Sequence, residues 1–66
     1  MMTVLELRQA ANMKQVDFAA LLGVPKSTLQ KWEYRNEPPE YIRRLIIYYL
    51  CGEGYITADD TTDNNL

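Results

Sequence analysis

The side chains able to act on another molecule are few in this chain, and one group of them is regularly spaced. There is no His, and Cys51 is the only cysteine. A His-dependent nucleophile, a Cys/His zinc site and an intramolecular disulfide are therefore excluded. No Gly-rich run is present to cradle a phosphate. What remains is the stretch PKSTLQKWE, where Lys26, Ser27, Thr28, Gln30 and Lys31 surround Leu29 and Trp32. On a helix, Leu29 and Trp32 lie three apart and point together into a core. Lys26, Ser27, Gln30 and Lys31, with Tyr34, then take the opposite side. Ammonium, hydroxyl and amide groups on one helix side do not form a bond-breaking centre. Their chemistry is charge attraction and hydrogen bonding.

Such a helix needs elements to hold it. Thr3 and Glu6 form the pattern Thr-x-x-Glu of a capping box, and Val4, Leu7, Ala10 and Ala11 follow at helical spacing. This predicts a first helix over 3–11, closed by Asn12 in a left-handed conformation. A second helix is expected over 15–22, with Val16, Phe18, Ala19, Ala20, Leu21 and Leu22 as apolar positions and Gly23 as its stop. Val24 precedes a proline and favours extended backbone. The third helix spans 25–34, with Pro25 in its first turn. RNEPPE (35–40) reads as a loop, and Pro39 opens a fourth helix running to Cys51. Its expected buried stripe is Ile42, Leu45, Ile46 and Tyr49. Gly52 and Gly54 end it, and Tyr55–Thr57 reads as a short strand or an ordered extension.

Length and charge narrow the function. Sixty-six residues, 47% of them hydrophobic, support one small domain with little room for a catalytic cleft. Residues 1–57 read as the domain and 58–66 as an acidic, flexible tail. The net charge of −2 hides a division, because Asp59, Asp60 and Asp63 lie in the tail. Residues 1–58 carry seven Lys or Arg against six Asp or Glu. A near-neutral body binds a polyanion only if its charges are sorted onto one face. The start of the chain carries Glu6, Arg8 and Lys14 and does not read as a signal peptide. The apolar run Leu45–Cys51 is far shorter than a bilayer span. The expected compartment is cytoplasmic, without membrane attachment.

From Gln15 to Glu33 the chain reads QVDFAALLGVPKSTLQKWE. This resembles the helix-turn-helix of the phage repressor and Cro family, at Gln15, Ala19, Gly23, Val24, Leu29, Trp32 and Glu33. The likeness extends over about residues 3–50. It implies an all-α, λ-repressor-like fold of four helices with the helix-turn-helix at 15–34. It also implies a bacterial or phage regulator that lays its third helix in the major groove of double-stranded DNA. Carried onto this sequence, Lys26, Ser27 and Lys31 become the base-reading residues, with Thr28 and Gln30 next. Gln15, at the start of the second helix, matches a phosphate-holding glutamine. Arg35 and Asn36, and less directly Arg43 and Arg44, become phosphate ligands. Arg8 and Glu33 are expected to form a structural ion pair of small net energy. The pattern departs at Pro25, where a Ser or Thr cap is usual, at Lys14, where a small polar cap is usual, and in lacking a fifth helix.

Blander readings stand beside these. The polar residues of the third helix, and the arginines, can equally be solvated surface. Trp32 reads as core, and Cys51 as a small buried hydrophobe. LIIYYLC is apolar almost all round a helix, so part of it should reach the surface. This predicts a homodimer through the fourth helix and 52–57, centred on Ile47, Tyr48, Cys51 and Tyr55. The alternative is that Tyr55 and Ile56 fold back and cover this side within one chain. The functional expectation is a DNA-binding transcriptional regulator acting as a dimer on a palindromic operator, with no cofactor and no enzymatic activity. Two other readings are an antitoxin-like protein that also binds a toxin, and a protein–protein adaptor that does not bind DNA.

Overall fold

The capping box at Thr3 closes in both directions. The Thr3 hydroxyl accepts from the Glu6 N–H at 3.1 Å, and the Glu6 carboxylate accepts from the Thr3 N–H at 2.8 Å. The computed structural model describes residues 2–57. They form α1 (Val4–Ala10), α2 (Gln15–Leu22), α3 (Lys26–Tyr34) and α4 (Glu40–Gly52), with no strand among the described residues. The fold is all-α, as the residue spacing predicts. The acidic stretch 58–66 lies outside the described residues.

Two left-handed residues set the turns. Asn12 (φ 59°) follows α1, and Gly23 (φ 76°) ends α2. The Gly23 and Val24 N–H groups both reach the Ala19 carbonyl, at 2.9 and 3.1 Å. A Cβ on Gly23 would meet nothing within 4 Å. Glycine is therefore needed here for its backbone conformation, not for a close approach. Pro25 is the N-cap of α3 rather than its first helical residue, in extended geometry (ψ 147°). Neither Pro25 nor Lys14, the N-cap of α2, supplies a capping side-chain bond.

The core joins all four helices and the chain beyond them. Val4 and Leu7 of α1, Phe18 and Ala19 of α2, Leu29 of α3, Ile46 and Leu50 of α4, and Ile56 are buried. Trp32 is half-buried and packs against this cluster. Burying a side chain the size of Leu or Phe contributes about 1.5–3 kcal/mol. In so small a domain, each of these eight matters.

The buried face of α4 differs from the expected stripe. Four rows of residues spaced by four run along this helix. Ile42–Ile46–Leu50 faces the core, and Arg43–Ile47–Cys51 is half-buried beside it. Tyr41–Leu45–Tyr49 and Glu40–Arg44–Tyr48 are exposed. Leu45 and Tyr49, read from the sequence as buried, are 59% and 42% accessible. The reason lies beyond the helix. Gly54 (φ 84°) reverses the chain, and the Tyr55 N–H bonds to the Leu50 carbonyl at 2.8 Å. Ile56 is thereby buried, in a turn rather than a strand, and the core meets the Ile47 and Cys51 side of α4. Local periodicity could not weigh a residue contributed from outside the helix.

Candidate nucleic-acid interface

Glu33, near the end of α3, is the centre of a polar network. The Arg8 Nε donates to Glu33 Oε2 at 2.7 Å and the Arg8 Nη2 to Glu33 Oε1 at 3.2 Å. This is the parallel, two-bond geometry that a guanidinium makes with a carboxylate. Arg8 Nη1 also donates to the Met13 carbonyl at 3.1 Å, which holds the α1–α2 loop. The Glu33 side chain is wholly shielded from solvent and that of Arg8 is 17% exposed. One ion pair thus ties α1, the loop before α2 and the end of α3.

Gln15 extends the network to the start of α2. Its Nε2 donates to Glu33 Oε1 at 2.8 Å and to the Tyr34 hydroxyl at 3.0 Å. Its Oε1 accepts a long bond from Gln30 Nε2 at 3.5 Å. An amide nitrogen has two protons, and both are engaged within the chain. At this end of α2, the groups left to meet an anion are backbone N–H groups and the exposed Lys14 ammonium. The first ladder bond runs from the Phe18 N–H to the Lys14 carbonyl at 2.9 Å, and no side chain caps the N–H groups before it. They carry the positive end of the helix dipole.

Other side chains of α3 are unengaged. Lys26, Ser27 and Lys31 are exposed, and Thr28 and Gln30 are half-buried. Among the described residues, Lys26, Ser27 and Lys31 make no side-chain hydrogen bond or ion pair. α3 therefore offers two free ammonium groups, Lys26 in its first turn and Lys31 in its last, and the free Ser27 hydroxyl, while Glu33 is clamped.

The remaining expected site residues divide. Arg35, the C-cap of α3, and Asn36 are exposed at the same end as Tyr34. Arg43 is half-buried, and its Nε is out of solvent without a hydrogen-bond partner. Arg44 is exposed but engaged, with Nε and Nη2 donating to Glu40 Oε2 at 3.1 and 2.9 Å. That bond holds the Glu40 carboxyl below its ordinary pKa and raises Arg44. Ile47 and Cys51 are half-buried against the core, whereas Tyr48 and Tyr55 are exposed. Two contributors escaped the sequence reading. Tyr34 was placed only on the polar side of its helix, yet it receives Gln15 from 19 residues away. Glu37 accepts from the Val4 N–H at 3.0 Å, across 33 residues. Neither bond has a local sequence signal.

Four helices with α2 and α3 joined at a glycine turn, and α3 held at Glu33 while Lys26, Ser27 and Lys31 stay exposed, make the arrangement of a helix-turn-helix module. The comparison of families agrees: the family model described as Helix-turn-helix, of the Cro/C1 type, matches residues 4–45. The chain belongs to this family of DNA-binding regulators. No curated protein and no solved structure matches it. No helix among the described residues is long and apolar enough to cross a membrane.

Proposed function

We propose that this protein is a sequence-specific transcriptional regulator that reads the major groove with α3 and acts as a dimer on a two-fold-symmetric operator. The observation that carries this reading is the contrast along α3. Lys26 and Ser27 in its first turn and Lys31 in its last are free and exposed, while Glu33 is fixed by Arg8 and Gln15. Lysine donates to guanine O6 and N7, and serine pairs with several bases. The uncapped start of α2 and the exposed Arg35 and Asn36 supply positioning contacts to phosphate. Gln15 contributes by orienting Tyr34 and the end of α3, and its backbone N–H meets the phosphate. The near-neutral body makes the phosphate-driven part of the affinity modest, so base contacts carry a large share of the selectivity. Such a regulator works where the chromosome is, in the cytoplasm of a bacterial host.

The test is selection from a randomised duplex pool, followed by fluorescence anisotropy at low and at physiological salt. The wild-type chain should enrich one symmetric site and weaken as salt rises. Lys26→Ala and Lys31→Ala should each cost roughly tenfold in affinity and relax selectivity at the bases they face. If the wild-type chain binds no duplex even at low salt, the reading is wrong.

A further inference from the structure

The exposed rows of α4 carry a cluster of large apolar side chains. Tyr41, Leu45, Tyr48 and Tyr49 are 64%, 59%, 67% and 42% accessible. Beside them lies an apolar groove of about 400 Å³ between α4 and the α2–α3 pair, walled by Leu21, Leu22, Val24 and Trp32. Leu45 and Tyr49 form its rim. The face that the sequence suggested for dimerisation is different. Ile47 and Cys51 are already packed against the core, and Ile56 closes that side.

We propose that a second copy of this chain occupies the groove, with the two α4 helices crossing antiparallel at Leu45. Three observations select a second copy. First, the row Tyr41–Leu45–Tyr49 reads the same in both directions. A two-fold axis at Leu45 therefore sets Leu45 on the partner's Leu45 and Tyr41 on the partner's Tyr49. Rows of this i, i+4 kind interdigitate when two helices cross at about −50°. Second, the flanking row is suited to meeting itself. A two-fold interface repeats every charge, so a flank of one sign would repel its copy. Here the flank holds Glu40 and Arg44, already joined at 2.9 Å. Third, the area suffices. At about 150–250 Å² for a whole aromatic side chain, the four exposed residues present on the order of 400 Å² per copy. Two copies, with the groove walls, reach the ~1,000 Å² that a specific interface needs. This interface deepens the dimeric reading given above and rests on it for its purpose, which is to hold two α3 helices on one operator.

Sedimentation equilibrium of the full chain is the test. The wild-type chain should dimerise with a dissociation constant in the range of about 1–100 micromolar. Leu45→Glu sets two like charges on the axis and should raise that constant about 100-fold or more. Tyr55→Glu, on the side closed by Ile56, should leave it within about threefold. Circular dichroism confirms that each variant keeps its helices. If Leu45→Glu lost them, the double variant Tyr41→Ala/Tyr49→Ala, which trims only exposed rings, takes its place and should weaken the dimer about tenfold. A wild-type chain that stays monomeric overturns the proposal, as does a dimer lost in Tyr55→Glu and kept in Leu45→Glu. Lys26→Ala/Lys31→Ala separates the two readings, since it should stay dimeric while losing duplex binding. A chain that dimerises through Leu45 but binds no duplex keeps this interface and removes the DNA-binding function.

Discussion

Among the described residues, two arginine–glutamate pairs of almost equal bond length do different things. Arg8 and Glu33 meet at 2.7 Å between α1 and α3, with side chains 17% and 0% exposed. Arg44 and Glu40 meet at 2.9 Å one turn apart on α4, with side chains 58% and 57% exposed. The first pair is shielded from water, extended by Gln15 and anchored on the Met13 carbonyl. The second is a surface pair on one helix, screened by solvent, and its effect is local. Bond length does not separate them. Burial and sequence separation do, and the buried pair alone fixes how α3 sits on the rest of the fold.

This contrast can be broken at the buried pair first. Glu33→Ala leaves the largely buried Arg8 without its carboxylate. It should destabilise the fold by about 3 kcal/mol, read from the urea midpoint. That figure is the cost of breaking the pair. It is compatible with a small net worth of the pair against an apolar replacement, because an unpaired buried charge is the worse state. Glu33→Gln puts a donor amide opposite Arg8 and should cost nearly as much.

A smaller effect is expected at Gln15. Gln15→Ala removes a donor to the buried Glu33 carboxylate and the bond to Tyr34, for about 1.5 kcal/mol on the same urea measurement. It should also loosen Tyr34, so duplex affinity should fall further than the change in stability accounts for. If affinity and stability fell together, Gln15 would be only a fold residue.

The smallest effect belongs to the surface pair, and pH reports it. The hydrogen bond and charge of Arg44 hold the Glu40 carboxyl below its ordinary pKa. A depressed carboxylate stabilises the fold above its unfolded-state pKa and loses that contribution as pH falls through its folded-state pKa. The melting temperatures of wild type and Glu40→Gln should therefore differ slightly at neutral pH. They should converge on acidification below the carboxylate range. A difference that persisted in strong acid would assign Glu40 a role other than pairing.

The same contrast marks how far the sequence could be read. Most of what is local is legible: the capping box at Thr3, the positive φ at Asn12, the glycine stop at 23 and the bounds of α2, though Pro25 caps α3 rather than opening it. Each depends on neighbours within four residues. The family likeness, resting on the spacing of Gln15, Ala19, Gly23, Leu29 and Trp32, led to the helix-turn-helix. Distant contacts were less legible. Ile56 decides which side of α4 is buried, but it lies beyond the glycines that end the helix. The sequence shows Leu45 and Tyr49 only as apolar residues at helical spacing, and so they read as core. Gln15 was read as a phosphate ligand, whereas the structure engages its amide with Glu33 and Tyr34. An amide's partner is set by tertiary geometry, and a sequence position carries no trace of it.

The bond from the Val4 N–H to Glu37 has a consequence for the order in which the chain forms. α1 spans only Val4–Ala10, well below the ~12–15 residues at which a lone helix becomes marginally stable in water. Beside the core packing of Val4 and Leu7, its long-range polar ties, Val4 to Glu37 and Arg8 to Glu33, run to the far end of α3 and the loop that follows. α1 therefore cannot persist as an early, independent piece. Its two long-range bonds form only when roughly half the chain has been brought back to it. The N-terminal helix is in this sense a latch on α3, and fraying of α1 would break the bonds to Glu33 and Glu37.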